Sequence, residues 1–297
     1  MNKLKKFGKR NIGFIFIIPW LIGFLVFKAY PFLSSLYYSF TDYNLFTGKT
    51  DGFTLQNYKD VFTIAVEKTA LITTFKYAFM TVPMKLVFAL FIAYILNFKL
   101  KGVNLFRTIY YIPSILGGSV AIAVLWKALF NDNGLIRSGF ALLGIDAPHF
   151  MSDPKWALLM ISILRVWQFG SAMVVFLAAL KGVPTELYEA AAIDGASKTR
   201  QFFSITVPLI TPVIFYNLVT QLVQAFQEFN GPYIITRGGP LGSTTLMSLL
   251  IYNNAFVSYD MGKASAQAWV LFVILMIFTM ISFWSQKHWV YYGDEED

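Results

Sequence analysis

Residues 181–212 read KGVPTELYEAAAIDGASKTRQFFSITVPLITP. Apolar runs of bilayer length flank this stretch, at about 156–180 and 208–228. A polar segment so placed connects two membrane spans. Pro184, at an N1-like position, predicts a helix start. Glu186, Glu189 and Asp194 give that helix an acidic side, and Ala190, Ala191, Ala192 and Ile193 a smooth face. Gly195 ends the helix or turns it sharply. A short helix with a flat face and a fixed carboxylate suits docking into the groove of a partner.

The composition around this loop is that of a membrane protein. Of 297 residues, 57% are hydrophobic and 13% charged, against roughly 25% charged in a soluble domain. Mean hydropathy is +0.58. Disorder, collagen-like repeats and a coiled coil are excluded by the same figures. A helical span needs about 20 apolar residues, and six runs qualify: about 12–35, 70–96, 105–130, 156–180, 208–228 and 264–286. The N-terminus begins like a signal sequence. It has no small-x-small cleavage site, however, and its apolar run passes Phe27, so it reads as an uncleaved first span. The expected fold is all-α and integral to the membrane, with six transmembrane helices. Pro19, Pro31, Pro83, Pro113, Pro208 and Pro212 favour kinks in them, and Gly117–Gly118 add flexibility.

The net charge of +8 could signal nucleic acid in a soluble chain. Here it encodes orientation, and no nucleic-acid partner is expected. Segments 1–11, 97–107, 181–207 and 287–297 hold 12 of the 24 Lys and Arg residues. Segments 38–69, 131–155 and 229–263 are longer but hold 7, together with eight carboxylates. The first set is cytoplasmic, with both termini inside. The expected organisation is a basic N-terminus (1–11), a six-helix region (12–287) containing the 181–208 loop, and an acidic tail (288–297).

Much catalytic chemistry is absent. There is no Cys, and the two His residues, His149 and His288, lie in a loop and near the C-terminus. A thiol, metal or His-based catalytic site is not expected. No P-loop is present: Gly48-Lys49-Thr50 lacks the upstream glycine, since Tyr43 stands there. The chain reads as a transport subunit, not an enzyme, and its energy source lies on another chain.

Polar side chains inside the spans are the functional candidates. Asn217, Gln221, Gln224 and Glu228 are spaced 4, 3 and 4 apart, on one helical face. Amides both donate and accept, which suits sugar hydroxyls. Trp167 and Phe169 flank Gln168 and offer aromatic faces. Arg165 carries a charge into the fourth span, and pairing with Glu228 would offset its cost. A hydrogen-bonded seam to another subunit is the alternative reading of the 217–228 stripe. Lys76 and Lys85 either face the bundle or snorkel.

One resemblance is specific. Glu189-Ala190-Ala191, then Gly195, Ile205 and Val207-Pro208, match the EAA loop of ABC importer permeases, with Val207 in place of the usual Leu. AYPFLSSLYYSFTDYN (29–44) and FNGPYIITRGGPLGSTT (229–245) are similar to the carbohydrate branch, the family of the maltose permease subunit. The resemblance implies a type I ABC importer transmembrane domain in the bacterial inner membrane. It implies a second homologous permease, two ATP-binding cassette subunits that carry ATP and Mg, an external or periplasmic solute-binding protein, and a sugar cargo, most simply an oligosaccharide. No cofactor is expected on this chain itself. The ATPase would dock at Glu189, Ala190, Ala191, Asp194, Gly195 and Ala196. By the same resemblance, substrate contacts fall at Gln221 and Ala225, with Gln224 as a polar substitute and Glu228 beyond, and around Trp167, Gln168 and Gly170. Within this class the alternative cargo is a polyol-like solute such as glycerol phosphate. A stand-alone secondary transporter would need coupling carboxylates deep in the spans, yet only Glu228 is available, and it lies near the outer end, where it faces water or pairs with Arg165.

Overall fold

A computed structural model describes residues 16–50, 52–98 and 101–293. The basic segment 1–11, Lys99 of the second connection and the last four residues of the acidic tail lie outside the described residues. Among the described residues the structure is helical, and its only β pairings are isolated bridges. Three helices are long and apolar enough to cross a bilayer alone: α1 (Phe16–Ser39) and two others of 33 and 26 residues. Three further spans are bent helix pairs. Together these account for the six apolar runs.

By internal contacts the chain divides into two compact units. The smaller holds residues up to Thr63 together with Ile251–Val270. It contains α1 and the short helix α2 (Gln56–Thr63). α1 includes a π-helical turn at Leu25–Ala29, between Pro19 and Pro31. It runs to Ser39, four residues past the expected limit. The loop after it is pinned by Asn57, whose amide donates to the Thr41 carbonyl at 2.7 Å, and by a 2.7 Å bond between the Ser39 and Tyr58 hydroxyls.

The larger unit is built on α3 (Ala65–Asn97). This helix starts five residues earlier than its apolar run suggests and continues through Pro83. α4 (Val103–Leu116) and α5 (Val120–Phe130) follow, then α6 (Leu135–Leu142). The expected third span is thus two helices, meeting at 101° across Gly117–Ser119. α7 (Pro154–Trp167) and α8 (Gly170–Gly182) form the next pair, bent by 46°. Sequence had offered no marker for that break. After α9 (Thr185–Ile193) come α10 (Lys198–Leu209) and α11 (Thr211–Phe226), bent by 67° where Pro208 and Pro212 flank Ile210. α12 (Met247–Val257) and α13 (Met261–Gln286) complete the chain.

α3 packs against α7, α8 and α11. Its buried face combines small residues (Ala70, Ala78, Ala89, Ala93) with Tyr77 and Leu86, so neighbouring backbones approach closely. Phe75, Phe226 and Phe278 form one ring cluster, with centroids 5.2–5.6 Å apart. α8 approaches α4 closely. A Cβ on Gly170 would stand 2.5 Å from the Tyr110 carbonyl oxygen and 2.8 Å from Tyr111 Cα.

Candidate functional site: a docking helix and a polar cluster at the span breaks

α9 has no buried residue. Pro184 is its N-cap, one position earlier than read from sequence, and the helix begins at Thr185. Its end is a Schellman motif. Gly195 N–H donates to the Ala192 carbonyl at 3.1 Å, and Ala196 N–H to the Ala191 carbonyl at 2.9 Å. Gly195 has φ +74, a left-handed conformation that glycine adopts without strain. A side chain there would meet open space. Ser197 then caps α10 by accepting from the Arg200 N–H. The Tyr188 hydroxyl lies 2.7 Å from Thr206 Oγ1, tying α9 to α10. The result is a rigid surface helix presenting Glu189, Ala190 and an 88% exposed Ile193. Asp194 and Ala196 sit in the turn beside Gly195. The structure therefore gathers all six expected docking residues on one exposed element.

The second cluster forms where two bent spans break, beside the segment that follows α11. Arg165 Nε lies 3.0 Å from Glu228 Oε2, and Arg165 Nη1 donates to Gln168 Oε1 at 2.9 Å. The other Glu228 oxygen accepts the Gly231 N–H at 3.0 Å. Ser248 Oγ donates to the Glu228 carbonyl. Gln168 lies over the α4–α5 corner, where a Cβ on Gly117 would stand 2.7 Å from Gln168 Cδ and Oε1. The Gln168 carbonyl, freed by the α7–α8 break, accepts from Ser114 Oγ of α4 at 3.1 Å. Ser114 Oγ in turn accepts the Ser171 N–H. Glu228 was placed from sequence near the outer end, facing water or Arg165. It is buried and takes the second role, because a carboxylate leaving water needs a cation and a donor.

The sequence stripe on α11 splits. Asn217 and Gln221 are buried, whereas Gln224 is exposed. Ala225 is buried, and Gly170 is buried against α4. Trp167 is partly exposed and packs near Trp126, with centroids 5.8 Å apart. Phe169 turns inward onto Phe88.

Arg165, Gln168, Glu228, Asn230 and Tyr77 share one cavity. Its free space is about 10 Å³, room for about one water and far too little for a sugar. Sequence reading missed Tyr77 and Thr81, whose hydroxyls are buried one turn apart on α3. Lys85 is 3% exposed on the same helix and faces the bundle, whereas Lys76 is exposed. The spacing of residues 77, 81 and 85, four apart within an apolar span, was the available signal. No cluster of three metal-ligating side chains is found among the described residues.

A family model described as "Binding-protein-dependent transport system inner membrane component" matches residues 68–290. The probable ABC transporter permease protein YesP of Bacillus subtilis is 45% identical over 304 residues, covering 100% of this chain and 97% of that protein. The sn-glycerol-3-phosphate transport system permease protein UgpA of Pectobacterium atrosepticum is 32% identical over 276 residues, 92% of each chain. Among solved structures, a chain of a bacterial alginate ABC transporter in complex with an alginate pentasaccharide-bound periplasmic protein superposes with TM-score 0.81. It covers 96% of this chain and 97% of that one at 21% identity, a likeness of fold. The bent spans and these matches lead to one conclusion: the chain belongs to the binding-protein-dependent transport inner membrane component family and is a non-enzymatic permease subunit of an ABC importer.

Proposed function

We propose that this chain forms half of a sugar translocation pathway in a bacterial inner membrane. A second homologous permease forms the other half, two ATP-binding cassette subunits holding ATP and Mg drive it, and an external binding protein delivers the cargo. The observation that carries the reading is α9: without a buried residue, terminated at Gly195 in a left-handed turn, and spaced as an EAA loop. The excess of Lys and Arg in 1–11, 97–107, 181–207 and 287–297 supports a cytoplasmic placement for it and for both termini.

The cargo contacts come from the polar cluster and its rim. Gln168, Gln221 and Glu228 supply hydrogen-bonding groups, Gln224 and Trp167 an exposed amide and an aromatic face, and Gly170 and Ala225 the close packing that shapes the site. The cavity holds about one water in this arrangement, so import requires the broken spans to separate. Alternating access through hinge-like motion at such breaks is a recognised repertoire.

A second cargo, glycerol phosphate, is favoured by the 32% identity to glycerol-phosphate permeases. Reconstitution of the full transporter in proteoliposomes tests both. ATP-dependent accumulation of an oligosaccharide supports the first reading, and accumulation of glycerol 3-phosphate alone supports the second. Uptake without any ATPase subunit would overturn the importer assembly.

A further inference from the structure

α6 lies in a stretch whose composition reads as an external loop, with Asp132, Asp146 and Asp153 around it. Its own sequence, LIRSGFAL, is two-sided. Leu135 and Leu142 are seven residues apart, which puts them on one face of the helix, and they are 74% and 88% exposed. Gly144, with φ +71, ends the helix: its N–H donates to the Ala141 carbonyl and the Ile145 N–H to the Phe140 carbonyl, each at 3.0 Å. That turn adds Leu143 and Ile145, also exposed. Arg137 falls on the opposite side. Its guanidinium lies 3.7 Å from Asp132, 3.6 Å from Asp146 and 2.8 Å from His149 Nδ1. The charges of the segment gather on one side of α6, and bare aliphatic side chains on the other.

The direction and depth of the segment point to what covers those side chains. α4 and Val120–Leu142, which holds α5 and α6, meet at 101°. Membrane spans tilt by about 20°, so a segment at nearly a right angle to α4 lies within about 30° of the membrane plane. α4 starts beside Lys101 and has 14 residues, about 21 Å of helix. Against a hydrocarbon core of about 30 Å, its far end stops about 9 Å short of the opposite boundary. Helices that lie in the interface seat their apolar face about 5–10 Å into it. α6 follows α5 after a tight turn, in which the Gly134 N–H donates to the Asn131 carbonyl at 2.7 Å. Val120, Val124 and Leu125 of α5 are exposed too, so bare apolar side chains extend along both helices. Such a patch with a polar rim marks a membrane or protein contact, and the in-plane direction favours the membrane.

We propose that α6 is an interfacial membrane anchor. Leu135, Leu142, Leu143 and Ile145 insert into the leaflet remote from Lys101, the outer one by the charge asymmetry, while Arg137 and its carboxylate partners face water. The occupant of this face is lipid. The inference goes beyond the transport reading: it rests on the chain being a membrane subunit and is independent of the cargo.

The chain has no Cys, which makes a single nitroxide easy to place. Leu135→Cys, Leu142→Cys, Asp146→Cys and Val87→Cys are each labelled in the complete transporter, reconstituted in liposomes with cysteine-free partner subunits. Power saturation then compares collisions with oxygen, which concentrates in lipid, and with a nickel chelate, which stays in water. Oxygen should dominate at 135 and 142, and nickel at the exposed Asp146 position. Val87, exposed in the middle of α3, should report a deeper oxygen-rich site than either leucine. Nickel dominance at 135 and 142 would place α6 in water. Low collision with both reagents there would place it under a protein partner, and either result overturns the anchor. Oxygen dominance at Val87 with nickel dominance at 142 overturns the anchor alone, whereas nickel dominance at both overturns the membrane placement of the chain.

Discussion

Arg165 and Glu228, 63 residues apart in sequence, meet at 3.0 Å and join the end of α7 to the segment that follows α11. Glu228 is 8% exposed and Arg165 26% at their side chains. Glu228→Gln keeps the shape but leaves the guanidinium without its anion. Breaking a sealed pair costs about 3–5 kcal/mol; with one member partly exposed, about 1–3 kcal/mol is expected. The check is a thermal melt of the detergent-purified protein. The double variant with Arg165→Gln should be less destabilised than the sum of the two singles, because neither charge is then stranded.

At the docking helix the effects are on coupling. Glu189→Lys and Gly195→Asp are each expected to abolish uptake while the protein still inserts at normal level. Gly195→Ala places a Cβ in open space and strains only the left-handed backbone, by about 1–2 kcal/mol. It should retain measurable uptake. Normal uptake by both of the first two variants would remove α9 from the coupling mechanism.

Gly170→Ala tests the close approach of α8 to α4. Its Cβ would meet the backbone of Tyr110 and Tyr111, which cannot step aside as a flexible side chain can. A loss of about 1–3 kcal/mol is expected, read as a lowered melting midpoint. Gly195→Ala, on the surface, is the matched comparison.

The loop 131–153 should be sensitive to acid. His149 Nδ1 lies 2.8 Å from Asp132 Oδ1 and 2.8 Å from Arg137 Nη1; one nitrogen serves one of them at a time. The hydrogen bond from His149 is the main reason Asp132 is held below its ordinary carboxylate range, with Ser152 and Arg137 adding to it. A depressed carboxylate contributes stability that is present above its unfolded value, about 3.9, and is lost as pH falls through its lower folded value. Protection against hydrogen exchange in 131–153, relative to the intrinsic rate at each pH, should therefore fall below about pH 4, and His149→Ala should flatten that fall. An equally steep fall in His149→Ala would show that this contact does not stabilise the segment.

How much of this was legible depended on how local each signal was. α9 could be read as a helix because its start, small-residue face and terminating glycine all lie within a dozen residues. The bends at Gly117–Gly118 and between Pro208 and Pro212 carry residues that loosen or break a helix wherever they occur. The break at Gln168–Phe169 carries none. What supports it is Ser114, 54 residues earlier, which takes over the Gln168 carbonyl, and no local pattern encodes that. Arg165 and Glu228 were recognisable as costly charges in search of partners. Lys85 was read as facing the bundle or snorkelling, and packing decided for the first. Gln224 was grouped with Asn217 and Gln221 by spacing alone, yet packing separated them, because the bend and neighbours of α11 decide which part of a face is covered.

The bent spans have a further consequence. α4 and α7 have 14 residues each and α8 has 13, about 20 Å of helix apiece, against a hydrocarbon core of about 30 Å. No half crosses alone, so each crossing is made by two segments with a vertex between them. Gln168 sits at one such vertex and Gly117 at another. The polar groups of the cluster thus lie where the backbone ladder is already interrupted, and a change in either angle would displace them without unwinding a helix.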